Sequence, residues 1–213
     1  MTRTLLLSLA FAAIGLAQTT LTLTGPASAT AGASVPLTLS IAGTSGQNVS
    51  GIQWSIVGPT GLSVTSATIT ASPAALGKGL YCSANNAVCL EIGDSSTSAL
   101  SNNPWTADGT IATFQVAVAL NTPLGATTVP LSGLFAVSTT GSAITMTSGT
   151  AYTLTILQSH CDFNGDGKVD STDVLAAINA VLGRASCPSI LASCSLLTIW
   201  DVLQAANGGA CVL

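Results

Sequence analysis

Between residues 21 and 157 the chain alternates short β-prone runs with Gly, Pro, Ser and Asn, and it sustains no helical period there. This pattern is typical of an all-β domain. Apolar and polar residues alternate within runs such as the one containing Val35, Leu37 and Ile41, so each strand is expected to face the core on one side and water on the other. The spacing of the runs favours a two-sheet sandwich in a mainly β chain. Nine strands are predicted, at 20–23, 34–41, 51–57, 62–69, 88–92, 109–118, 127–132, 134–138 and 151–156.

Charge is scarce, because only 6% of the residues are charged and only four are Lys or Arg. Neutral side chains must therefore cover most of the surface. No basic patch can form, which argues against nucleic acid as a partner. The acidity is also local, since five of the eight acidic residues lie at or beyond position 162.

The N-terminus, residues 1–17, has the features of a secretory signal peptide: Arg3, an apolar run over 5–16 and small residues before Gln18. The run is shorter than the roughly 20 residues that cross a bilayer, so we expect a secreted or cell-surface protein without a membrane span. Export to an oxidising compartment predicts that the six cysteines form three disulfides. Cys82 and Cys89, which enclose six residues, are expected to join each other.

Several segments of the β region resemble cohesin modules in order and spacing. The similar stretches are AGASVPLTL at 31–39, GLSV at 61–64, DGTIATF at 108–114 and LGAT at 124–127. The resemblance covers nearly all of residues 18–157. It implies a jelly-roll β-sandwich that binds a protein partner.

Residues 162–173 form a twelve-residue calcium-loop motif with oxygen-bearing side chains at positions 1, 3, 5, 9 and 12. Gly167 at position 6 permits the sharp turn that lets these side chains converge. Without a cation, four carboxylates so close in sequence would repel one another. We therefore predict bound Ca²⁺. The predicted ligands are Asp162, Asn164, Asp166, the carbonyl of Lys168, Asp170 and Asp173.

A helix is predicted after this loop, with an apolar stripe and a stop at Gly183. A sequence similar to the end of the motif recurs 28 residues later, where Asp201 corresponds to Asp173. There are thus two loop–helix repeats. The second loop has no carboxylate at positions 1, 3 and 5, which predicts one ion rather than two. The apolar stripe of the first helix consists of Val174, Leu175, Ile178, Val181 and Leu182. Positions 1, 3 and 5 of the second loop are occupied by Ile190, Ala192 and Cys194.

This duplicated unit over residues 161–213 resembles the dockerin family, type I, so residues 158–213 are interpreted as a small α-helical calcium module. The resemblance implies partner contacts at Ser171 and Thr172, and at Ile199 and Trp200 of the second repeat. Burial of that second pair in the small core is an equal alternative. Because dockerin ends meet, the resemblance also implies a disulfide between Cys161 and Cys211, with Cys187 joined to Cys194. Other pairings stay open.

No catalytic constellation is evident, because Glu91, Asp94, Asp108 and His160 form no convincing pair, and the chain is not expected to be an enzyme. The two resemblances imply a secreted, calcium-dependent assembly or scaffold component of the kind found in extracellular polysaccharide-degrading complexes. Its partner would be another cohesin- or dockerin-bearing protein.

Two alternatives stay open: a filament built from copies of the chain, and a carbohydrate-binding sandwich. The second would use Trp54, Tyr81 and Trp105 as stacking faces. Trp54 is expected inside the sandwich, whereas Trp105 is the better candidate for exposure.

Overall fold

The computed structural model of the protein describes residues 18–93, 102–159 and 161–187. Those residues contain thirteen strands and two helices. The strands are β1 (Thr19–Thr24), β2 (Ser28–Thr30), β3 (Ser34–Ala42), β4 (Val49–Ile56), β5 (Leu62–Ile69), β6 (Lys78–Cys82), β7 (Val88–Gly93), β8 (Gly109–Val118), β9 (Gly125–Val129), β10 (Leu131–Ser138), β11 (Ala143–Ile144), β12 (Met146–Ser148) and β13 (Tyr152–Leu157). The helices are α1 (Ala71–Ala75) and α2 (Ser171–Val181).

The strands form two five-stranded sheets and one three-stranded sheet. Sheet I has the order β12-β1-β3-β8-β5, and sheet II has the order β11-β10-β4-β7-β6. The third sheet has the order β2-β13-β9. Most pairs are antiparallel, while β1 with β12 and β13 with β2 are parallel. The mainly β sandwich predicted from the sequence is confirmed.

The core lies between the sheets, and aromatic side chains from both meet in it. Trp54 on β4 of sheet II is 0% exposed, as expected from its alternating strand. It meets Phe114 on β8 of sheet I edge to face, with ring centroids 6.3 Å apart and an interplanar angle of 87°. This geometry is the favourable one for aromatic pairs and ties the two sheets together.

All nine predicted strands are present, and four short ones were missed: β2, β6, β11 and β12. The break predicted at Gly133 lies instead at Pro130, between β9 and β10. Proline has no N–H to donate to a ladder, which explains the break. Strand β6 begins with Lys78 and Gly79, both poor strand formers, so its conformation depends on pairing with β7.

A small loop–helix unit follows β13, and its helix α2 was predicted. Asp170 and Asp173 form a capping box at the start of α2. Val174 of the predicted stripe is half-buried and packs against the small core, but the other four members are exposed, and Ala177 and Ala180 are the buried apolar residues of the helix. Ala177 joins Cys161 and Phe163 in a second, small core.

The structure contains the expected disulfide between Cys82 and Cys89, with a Cα–Cα distance of 4.1 Å. The bond joins directly paired residues of β6 and β7 rather than closing a free loop. Cys161 and Cys187 are each disulfide-bonded too. Their predicted partners, Cys211 and Cys194, lie outside the described residues, so those pairings stay predictions.

No helix in the described part of the chain is long and apolar enough to span a bilayer. The signal peptide at 1–17 and the second repeat lie outside that part. The domain boundaries at 18–157 and 158–213 therefore stay predictions.

Candidate functional site

The outer surface of sheet II carries a cross-strand row of large side chains. Phe135 on β10 pairs with Gln53 on β4, Gln53 pairs with Leu90 on β7, and Leu90 pairs with Tyr81 on β6. Phe135 is 49% exposed and Tyr81 is 46% exposed. We call these four residues the apolar row. It crosses four adjacent strands and includes one polar side chain, Gln53.

More aliphatic side chains flank the apolar row on the same surface, which we call the apolar face. Val137 and Ile92 lie on either side of Gly51, where an added Cβ would come within 2.9 Å and 3.1 Å of their methyl groups. Glycine at position 51 thus lets two branched side chains approach each other. On the other side of the row, Val88 is 45% exposed.

Sheet I presents a different outer surface. Thr24 pairs with Thr38, Thr38 with Thr113, and Thr113 with Thr68, which places a row of four threonines across four strands. The outer surface of sheet I thus presents hydroxyl groups to water, whereas that of sheet II presents mainly apolar side chains. Both surfaces are poor in charge. A contiguous exposed apolar surface on a folded domain usually marks an interaction site.

The alternation of apolar and polar residues located the strands of sheet II, but the prediction that their outward-facing residues are polar is wrong. We expected polar residues outside; instead Leu90 and Ile92 point outward while Glu91 is 0% exposed. The register of β7 causes this, since Glu91 pairs with Ile52, a core residue of β4. The run 88–92 alone does not show which side faces the core.

Behind the apolar face lies a buried polar cluster. Lys78 is 3% exposed, and its Nζ donates a hydrogen bond to the Ser50 carbonyl at 2.7 Å and lies 4.8 Å from the centre of the Trp105 ring. Burial raises the pKa of Glu91 to about 8, opposed by the positive charge of Lys78. Burial also lowers the pKa of Lys78. This cluster lies inside the sandwich.

The expected exposure of Trp105 is wrong. It is 3% exposed, and its backbone N–H bonds to the Val49 carbonyl at 2.8 Å, which draws the loop residue against β4. The sequence signal was the neighbouring proline, which indicated a loop but not its packing. Of the three candidate stacking residues, only Tyr81 is exposed.

Glu91 and Asp108 lie in unlike surroundings. Asp108 is exposed and accepts hydrogen bonds from the backbone N–H of Thr44 at 3.0 Å and from its hydroxyl at 2.9 Å. These bonds lower the pKa of Asp108. The buried acid belongs to the core, and the exposed acid fixes a turn, so each has a structural role.

In the loop–helix unit, Asp162 organises the backbone of the loop and is 2% exposed. Its Oδ1 accepts hydrogen bonds from the N–H groups of Gly165 at 2.8 Å and Asp166 at 3.1 Å. Its Oδ2 accepts from Gly167 N–H at 2.8 Å and from the Gln158 amide at 3.0 Å. The positive φ of Gly167, 83°, permits the turn that closes this ring of donors.

Asp173 closes the loop from the first turn of α2 and is 0% exposed. Its two carboxylate oxygens accept hydrogen bonds from Asn164 N–H at 3.1 Å and Asp170 N–H at 2.8 Å. Position 12 of the motif thus lies next to positions 3 and 9. The helix and the loop form one hydrogen-bonded unit.

The oxygen atoms of this loop are of the kind that bind a hard cation. Asp162 and Asp173 are buried carboxylates whose hydrogen bonds come from neutral N–H groups, and oxygen ligands of this type are those that Ca²⁺ prefers. Among the described residues, no group of three or more acidic, His or Cys side chains forms a ready metal cluster. An ion would therefore have to replace some of the N–H contacts. The predicted ligands remain Asp162, Asn164, Asp166, Lys168, Asp170 and Asp173.

Helix α2 and its C-cap residue, Leu182, expose a line of aliphatic side chains. Leu175 is 59% exposed, Ile178 42% and Leu182 57%, and Val181 beside them is 47% exposed. We call Leu175, Ile178 and Leu182 the helix stripe. Ser171 and Thr172, the predicted contact residues, are exposed at the start of the same helix. Their counterparts Ile199 and Trp200, like His160 and Asp94, lie outside the described residues.

No family profile and no curated protein matches the chain. Solved cohesin structures do match its fold. A cohesin of Clostridium acetobutylicum, solved in a complex, is 16% identical with a TM-score of 0.53, and the match covers 66% of this chain and 100% of that one. A cohesin–dockerin complex of Clostridium thermocellum gives 11% identity, a TM-score of 0.53, and coverage of 66% and 94%.

The sixth cohesin of scaffoldin B from Acetivibrio cellulolyticus, solved with a dockerin, is 15% identical with a TM-score of 0.52, covering 66% of this chain and 99% of its own. At such identities the similarity establishes the fold alone. The cohesin-like sandwich predicted from sequence is confirmed at that level. The dockerin resemblance of the C-terminal part stays a prediction.

Proposed function

We propose that this protein is a secreted, non-catalytic docking component that binds a protein partner on the apolar face of sheet II. Its loop–helix unit binds one calcium ion and presents α2 for a second contact. The partner class is a dockerin-bearing protein, or another protein with a calcium-loop helix of that kind.

The observation that carries this proposal is the difference between the two outer surfaces of the sandwich. The threonine row of sheet I is a normal solvated surface. The apolar row of sheet II exposes Phe135 and Tyr81 at its ends, with Leu90 between them. Aromatic side chains with low conformational entropy are the usual anchors of protein interfaces.

Calcium has a specific part in the proposal. When bound, the ion supplies the positive charge that the acidic loop lacks. Asp162 and Asp173 would hold it from opposite ends of the loop, so that the start of α2 is fixed relative to β13. Fixing the helix in advance lowers the entropy cost of docking.

The comparisons support the choice of partner class without deciding it. The matching Clostridium thermocellum and Acetivibrio structures were solved as cohesin complexes with dockerins. The signal-peptide features and the disulfide between Cys82 and Cys89 support an extracellular location. The carbohydrate alternative is weaker, because Trp54 and Trp105 are buried and only Tyr81 could stack on a sugar.

The test uses the mature chain, immobilised and exposed to secreted proteins of the source organism in excess calcium. We expect specific retention of a partner by the wild type. Phe135→Lys should abolish retention, because it places a charge in the apolar row. The matched control Thr113→Lys places the same charge on the threonine row and should leave retention unchanged. Equal retention by both variants, or none by the wild type, would contradict the proposal.

A further inference from the structure

We propose that the occupant of the apolar face is helix α2 of a second copy of this chain, so that the protein assembles head to tail. This inference rests on the proposed function and names its partner. The chain carries both an apolar sheet face and an apolar helix stripe, and both are exposed.

The dimensions of the two surfaces agree. Leu175, Ile178 and Leu182 are spaced by three and four residues, which aligns them on one side of a helix over about 10 Å. The apolar row crosses four strands at about 4.8 Å each, or about 14 Å between its outer strands. A helix lying along the row can therefore place all three aliphatic side chains against it.

The electrostatic character of the two surfaces agrees as well. Within β4, β6, β7 and β10, the only charged residues are Lys78 and Glu91, and both are buried. In α2 the only charged residue is Asp173, which is also buried. Neither the four strands nor α2 therefore exposes a charged side chain that docking would bury, and burying charges is the usual cost that limits such contacts. The nearest exposed charges, Asp170 and Arg184, flank the helix.

Contact within one molecule is not what the structure shows. Phe135 and Ile178 are 49% and 42% exposed in the same chain, so the apolar row and the helix stripe do not cover each other. The loop–helix unit is instead tied to the loop after β8, a strand of sheet I, where Val169 N–H donates to Asn121 Oδ1 at 3.3 Å. Docking therefore occurs between molecules.

The contact is heterologous, because two different surfaces meet. Each added copy docks through either its apolar face or its helix stripe, and the other of these two surfaces stays free. Such a contact continues into a filament unless a rotation closes it into a ring. Association is therefore expected in every geometry, as a filament, as a larger ring, or as a reciprocal dimer if the rotation is two-fold.

The deciding experiment measures the mass of the full mature chain by sedimentation and light scattering in excess calcium. We expect concentration-dependent species of two or more copies for the wild type and for Thr113→Lys. Phe135→Lys, which lacks a working face, and Ile178→Lys, which lacks a working stripe, should each be monomeric. An equimolar mixture of those two variants should form dimers only. The helix stripe of Phe135→Lys can dock on the apolar face of Ile178→Lys, and the two altered surfaces of the resulting dimer cannot bind a further copy.

A wild type that stays monomeric, or a mixture that stays monomeric while the wild type grows, overturns head-to-tail assembly. Unchanged thermal unfolding of each variant verifies folding, and Val88→Lys replaces Phe135→Lys if that variant unfolds. If the wild type is monomeric but still retains a foreign partner through Phe135, the docking function stands and self-assembly fails. If it is monomeric and retains nothing, both fail.

Discussion

At the residue scale, the least expected feature is Glu91, a carboxyl group placed between two sheets of aliphatic and aromatic side chains. Among the residues that the structure describes, its two carboxylate oxygens have no hydrogen-bond partner, and neither do the indole N–H groups of Trp54 and Trp105. Unpaired buried polar groups normally cost stability. Glu91 limits that cost by remaining protonated near neutral pH, because burial raises its pKa to about 8.

This shift predicts how stability depends on pH. Above the usual pKa of 4.5 the unfolded chain releases the proton of Glu91, while the folded chain keeps it up to about pH 8. Stability should therefore fall as pH rises through that window, by up to a few kcal/mol in total. Glu91→Gln removes the titration, so urea midpoints measured at about pH 5 and about pH 9 should differ less than in the wild type.

Asp108→Asn is the matched control, because the pKa of Asp108 is lowered by Thr44 and its titration lies outside the window. This variant should keep the wild-type decline between acid and alkaline pH. An equal decline in Glu91→Gln would show that Glu91 ionises normally in the folded protein.

At the scale of elements, the hairpin of β6 and β7 carries half of the apolar row and part of the buried cluster. Strand β6 lies at one edge of sheet II. Its sequence, KGLYC, has little strand preference of its own, and Cys82–Cys89 fastens its end to β7. The disulfide therefore holds Tyr81 in line with Leu90.

Removing that bond should loosen the edge strand. We expect the double variant Cys82→Ser, Cys89→Ser to lose about 2 kcal/mol of unfolding free energy. Hydrogen exchange should show the largest loss of protection in β6 and little change in sheet I. Ala84→Ser, at an exposed position of the same turn, keeps the bond and should leave exchange unaltered. Uniform loss of protection in both sheets would contradict a local role.

The strands could largely be predicted from sequence, but the surfaces that they build could not. Alternation along Val35, Leu37 and Ile41 locates a strand because one side must meet the core. The side of β7 that faces outward depends on pairing with β4 and β6, which are distant in sequence. Trp105 is buried for the same reason: a contact with β4, not its own neighbours, determines its position.

The loop motif was easier to locate, because the residues that define it are contiguous. Hydrogen bonds join Asp162 and Asp173 to the loop backbone, and the helix begins at Ser171, within the last residues of the motif rather than after it. The exposure of the helix stripe could not be predicted, since Ala177 and Ala180 are small enough to pack closely and apolar enough to form the buried side instead.

At the scale of the whole molecule, the sandwich and the loop–helix unit have separate cores. The larger core includes Trp54 and Phe114, whereas the smaller one contains only Cys161, Phe163 and Ala177 as buried residues within the described part of the chain. Small cores rarely supply enough stability alone, and bound metal commonly makes up the difference. The two units should therefore respond differently to the loss of calcium.

We expect a chelator to expose α2 to proteolysis while the sandwich stays intact. Asp166→Ala should weaken calcium affinity more than about 100-fold, since even changes outside the ligand set cost about 10–100-fold. Titration calorimetry measures the affinity, and limited proteolysis reports the local unfolding. Ser171→Ala, which keeps every predicted ligand, is the control. Calcium binding at wild-type strength by Asp166→Ala would refute the proposed ligand set.

The neutrality of the apolar face also determines the environments in which it can work. Dissolved ions screen attraction between opposite charges, but they have little effect on contacts between uncharged surfaces. At a fixed calcium concentration, a contact made by Phe135, Leu90 and Tyr81 should therefore form as readily at high ionic strength as at low ionic strength. Without attraction from a distance, it would form no faster than roughly 10⁵–10⁶ M⁻¹s⁻¹. At a constant calcium concentration, the same link should therefore hold through changes in salinity.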